Sequence, residues 1–114
     1  MVYHGSTRLR GYSEEIYFAL EIGERPTLRQ ARSRISAMKL MPEEQNELAE
    51  LDECVMDHIL NFEDVQAYLL EDFDSRPLTH WWWHLGKLRA GTYPAHLLPP
   101  HLRAIYRPAA QAVA

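Results

Sequence analysis

The sequence predicts an all-α fold, a small single-domain helical bundle built around one long acidic helix, and three observations predict it. No Gly or Pro interrupts residues 43–75, so the strongest helix breakers are missing from that stretch. Within it Leu48, Leu51, Val55, His58, Phe62, Val65 and Leu69 alternate spacings of three and four, which sets them on one apolar helix face. Pro and Gly instead fall where helices begin and end, as at Pro42 and Gly91.

Taken in order, residues 1–12 read as irregular, with Gly5 and Gly11 as breakers. A first helix is expected over 14–22, capped by Ser13, started by Glu14 and Glu15 and stopped by Gly23. Its apolar residues, Ile16, Tyr17, Phe18, Leu20 and Ile22, lie nearly all round, so a strand over the same residues is the alternative. The next helix starts after Pro26, where Thr27 and Gln30 have capping-box spacing. Leu28, Ala31, Ile35 and Met38 then share one face, and the helix is expected to end near Met41.

Pro42 opens the long helix at its first position, followed by Glu43 and Glu44. Carried to Phe73, it would make a rod of about 48 Å at 1.5 Å per residue. The alternative is a break at Asn61, with Asn61 capping a further helix that has Asp64 in its first turn. Asp74-Ser75-Arg76-Pro77 reads as a turn, and another helix follows over 78–90, ended by Gly91. Pro94, Pro99 and Pro100 permit only short helices near 94–98 and 100–106. The expected domain covers residues 1–108, with 109–114 as a frayed tail.

Length and composition set bounds. A chain of 114 residues fits one domain that buries about two-thirds of its unfolded surface, enough to fold without metal or disulfide. Cys54 is the sole cysteine, which excludes an internal disulfide and makes a reducing, cytoplasmic setting the default expectation. The opening MVYHGSTRLRGYSEE does not read as a signal peptide. No apolar run approaches the ~18 residues of a membrane span.

Charge is strongly partitioned. Residues 42–74 hold twelve of the sixteen acids and no Lys or Arg, while all twelve basic residues lie elsewhere. Glu43, Glu47, Glu50, Glu53 and Asp57 fall on a helix face turned from the apolar stripe. Such a row suits a solvated surface, and it also suits contact with a basic protein in imitation of nucleic acid. Arg25, Arg29, Arg32, Arg34 and Lys39 cluster around one helix. They project on different sides beside an acidic neighbour, which argues against nucleic-acid binding.

The run His80-Trp81-Trp82-Trp83-His84 holds every tryptophan in the chain. On an α-helix Trp81 joins Leu78, Leu85 and Leu88 in one stripe, Trp82 marks its edge and Trp83 points away, beside Gly86 and Ala90. A partner contact is therefore expected over Trp82, Trp83, Gly86, Ala90 and Tyr93. Homodimerisation is the simplest way to cover such a surface. His80 and His84 have the i, i+4 spacing of two metal ligands, but Trp81 stands where a zincin has Glu. Glu50, Cys54 and His58 step by four, yet Val55 occupies the place of the di-iron carboxylate. Neither a phosphate loop nor a nucleophile elbow is present. The expected function is that of a non-enzymatic regulatory or accessory protein, without cofactor, acting through helix-mediated protein contacts. A nucleic-acid mimic and a metal protein using His80 and His84 are the alternatives.

Overall fold

The structure, a computed structural model, describes residues 7–22, 28–65 and 67–109. The described residues are mostly helical, with no strand among them. The helices are α1 (Arg10–Ile16), α2 (Leu28–Ser36), α3 (Pro42–Asn61), α4 (Leu85–Ala90) and α5 (Pro100–Arg103). The chain divides into two compact units, Met1–Val55 and Met56–Ala114.

In the first unit helical structure begins earlier than the sequence predicts. A 3-10 turn over Thr7–Leu9 leads into α1, which continues in π-helical turns over Tyr17–Ile22. Leu9, Tyr12, Ile16 and Ala19 are buried. Their spacing of three, four and three makes one stripe that includes Tyr12 and passes over Gly11. Ser13 is therefore a buried residue inside α1 and not its cap. Tyr17 and Phe18 remain exposed. The expected stop at Gly23 and the Thr27 capping box lie outside the described residues.

Helix α2 buries Leu28, Ala31 and Ile35 as its periodicity predicts. It ends at Ser36 and not near Met41. The Ser36 hydroxyl donates to the Ser33 carbonyl at 2.7 Å, and the Ala37 and Met38 N–H groups close short turns onto Arg34 and Ile35. A hydroxyl that competes for helix carbonyls weakens continuation, and exposed Met38 gains little from it. Pro42 opens α3 as expected. The Glu44 carboxylate accepts the Met41 N–H at 3.0 Å, which is one half of a capping box.

In the second unit α3 stops at Asn61 and does not run to Phe73. The phase of the stripe continues across Asn61, but phase alone does not hold a helix. Arg89 Nη1 donates to the Ile59 and Phe62 carbonyls, each at 2.7 Å. Asn61 donates to Asp57 Oδ1 at 2.6 Å and receives Arg107 on its own oxygen. The two Arg89 bonds take up backbone carbonyl groups that a longer helix would have used internally, while the Asn61 bonds join side chains. Asn61 thus closes one helix and does not open the next.

The expected helix over 78–90 is likewise divided. Trp81–Trp83 form a 3-10 turn, His84 leaves helical geometry, and α4 covers only Leu85–Ala90. Asp72 and His84 meet in an isolated antiparallel bridge, with the Phe73 N–H on the Trp83 carbonyl at 2.9 Å. His84, at φ −131° and ψ 42°, lies outside the helical region, and the helix is interrupted there. The turn expected over 74–77 is found one residue earlier, at 73–76, closed by the Arg76 N–H on Phe73 O. Gly91 ends α4 with φ +78°. Its N–H meets the Leu88 carbonyl and that of Thr92 meets Lys87, a Schellman closure. Short turns at Ala95–Leu97 and in α5 follow the prolines.

Two glycines separate close approach from open space. A Cβ on Gly86 would stand 2.2 Å from the Leu70 carbonyl oxygen, whereas one on Gly11 meets nothing within 4 Å. Gly86→Ala is expected to lower stability by about 1–3 kcal/mol through backbone displacement. Gly11→Ala is expected to raise it by about 0.5–1 kcal/mol. Thermal unfolding followed by circular dichroism checks both, and equal melting temperatures for the two variants would contradict the packing described.

Candidate functional site: the tryptophan turn and the acidic face of α3

The 3-10 turn at Trp81–Trp83 is held by the Trp83 N–H on His80 O at 3.0 Å and the His84 N–H on Trp81 O at 2.9 Å. With three residues per turn, the three indoles leave in three directions. All three are nonetheless buried, Trp81 at 1 % exposure and Trp82 and Trp83 at 4 % each. Trp81 meets Trp82 edge to face, with centroids 5.7 Å apart, and Trp82 stacks on the His80 ring at 4.7 Å.

Trp83 is the indole that α-helical geometry would have turned outward. Its ring packs edge to face with Phe73 at 5.1 Å, and the Arg76 guanidinium lies 4.5 Å from its centre. The charged group over the ring adds a cation–π attraction to the aromatic contact. Gly86 faces the Leu70 carbonyl and the Asp72 carboxylate of the same unit. Tyr93 is buried, and its hydroxyl donates to the Leu78 carbonyl. Of the five residues expected to form a contact, only Ala90 is exposed and Gly86 half-buried.

The two histidines do not share a helix face. His80 lies against Trp82, while His84 is buried with Nε2 at 3.3 Å from Arg76 O and 3.2 Å from Pro77 O. Carbonyl oxygens only accept, so Nε2 carries the hydrogen. The opposite ring nitrogen, Nδ1, is buried without a hydrogen-bond partner. Among the described residues, no three His, Cys, Asp or Glu side chains gather in a group fit to hold a metal ion.

Asp72 instead serves the start of α4. Its Oδ1 accepts the Lys87 backbone N–H at 3.0 Å. Lys87 Nζ reaches Asp74 Oδ1 at 2.6 Å and stands 3.8 Å from Asp72. The hydrogen bond from Lys87 holds the Asp74 carboxyl below its usual range, and the same bond raises the Lys87 ammonium.

The acidic residues of α3 divide by direction. Glu44 and Asp52 point inward and are buried. Arg8 pairs with Glu44 through Nε at 2.9 Å and through a second nitrogen. Arg32 holds Asp52 in a two-pronged bond, at 2.9 and 3.1 Å, and Tyr12 donates to the same carboxylate at 2.7 Å. Glu43, Glu50, Glu53 and Asp57 are exposed and Glu47 is half-buried. Among the described residues no ion pair reaches Glu43, Glu50 or Glu53. Of the arginines expected to present positive charge, Arg29 and Arg32 are buried, and Arg25 lies outside the described residues. Cys54 is exposed on α3, and His58 stacks on Phe62 at 4.0 Å. The inward pair Arg32–Asp52 and its phenol were not legible as a unit, since twenty and forty residues separate the partners. No family model, curated protein or solved structure matches this chain.

Burial of the indoles is open to a direct measurement. Iodide is expected to quench the intrinsic tryptophan fluorescence only weakly, and the emission should lie to the blue. Trp83→Ala is expected to cost about 3–5 kcal/mol in urea unfolding, as for other buried aromatic truncations. Strong quenching in the folded protein, or a stability unchanged by the substitution, would contradict the packing.

The buried phenols set a second expectation. Burial pushes Tyr12 well above the ordinary phenol range, raises Tyr106, and with Tyr106 nearby takes Tyr93 up to about 12. A phenol that ionises later when folded contributes stability in full below its unfolded value of about 10. That contribution is lost as pH rises from there towards the folded values. Urea midpoints should therefore fall as pH rises from 10 to 12, and Tyr93→Phe should reduce the fall. An unfolding midpoint independent of pH over that range would exclude the linkage.

Proposed function

We propose that this is a non-enzymatic accessory protein that acts by binding a basic protein surface through the outer face of α3. One observation carries the reading: the inward acids Glu44 and Asp52 are paired by Arg8 and Arg32, while Glu43, Glu50 and Glu53 have no cation partner among the described residues. Glu43 and Glu50 stand seven residues apart, two helical turns or about 10.5 Å along the axis. A row of fixed carboxylates on a rigid element raises the rate of encounter with a positively charged partner and disfavours a like-charged one. Pairing of this face with its own copy is disfavoured for the same reason. The partner surface is thus of the kind that also takes phosphate backbones, and the protein would then compete with nucleic acid for it.

The experiment is an affinity capture with wild-type protein and with Glu43→Lys, Glu50→Lys and Glu53→Lys combined, at low and high salt. The expected partner is basic, is held near 50 mM salt, is released by about 0.5 M salt, where screening acts within a few ångströms, and is lost by the triple variant. Added double-stranded DNA should displace it. Recovery of the same partner by the charge-reversed variant would sink the reading, as would capture that does not respond to salt.

A further inference from the structure

We draw no further inference here: the strongest candidate, the exposed edge-to-face pair Tyr17 and Phe18 on the π-helical turns that follow α1, is an apolar patch for which nothing in the structure shows what covers it.

Discussion

An α-helix leaves four N–H and four carbonyl groups without intrahelical partners at its ends. In α4, six residues long, almost every peptide group falls among them. The local sequence supplies no side-chain cap, since His84 makes no such bond. The carboxylate of Asp72 does the work from fifteen residues away by accepting the Lys87 N–H. Other details of the second unit follow from that contact. Position 86 has room for no more than glycine beside the Leu70 carbonyl and Asp72. His84 is drawn into the bridge with Asp72 and breaks the helix. Once α4 is placed, Arg89 on it reaches the last carbonyls of α3. Closing α3 thus depends on capping α4.

The first unit meets a related demand with charge. A buried carboxylate is costly unless its oxygens are satisfied. Asp52 has two bonds from Arg32 and one from Tyr12, which ties α1, α2 and α3 to one anion. Removing Asp52 would leave a guanidinium with 10 % side-chain exposure short of its acceptor, and breaking such pairs costs about 3–5 kcal/mol. The Tyr12 phenol is held uncharged by the same burial and by the carboxylate beside it. The arrangement satisfies the Asp52 carboxylate from two helices at once, so loss of any one member leaves a buried polar group short of a partner.

What could be read from the sequence was local. Pro42 as a helix start, Gly91 as a stop and the turn near Ser75 rest on backbone preferences of single residues, and the structure has all three. The stripe marks buried Leu51, Val55 and Leu69, but its Phe62 is exposed, and buried Met56 and Ile59 lie outside it. The end of α3 at Asn61 could be read only as the alternative to a continuous helix, because Arg89, the donor that meets its last carbonyls, lies 27 to 30 residues on. The tryptophan run misled for a similar reason. Its neighbours were placed by α-helical steps, and a pairing with Asp72 replaced the helix at His84. Phe73 and Arg76, which cover Trp83, belong to the turn before it, where no periodicity on the helix could find them.

The same distinction between inward and outward residues bears on the acidic segment. Summed along the chain, its twelve acids and the twelve basic residues elsewhere suggest mutual neutralisation. The pairing among the described residues is only partial, and it reaches both inward and exposed acids. Desolvation is large for a buried anion and small for an exposed one, so the cations that reach inward acids gain most. Arg8 and Arg32 meet the inward Glu44 and Asp52, while Lys87 meets the exposed Asp74 and stands near Asp72. An exposed carboxylate needs no partner to stay solvated, and internal folding energy does not demand one for Glu43, Glu50 or Glu53. With no ion pair to them among the described residues, their field on any approaching charged surface is set by ionic strength and by that surface's sign.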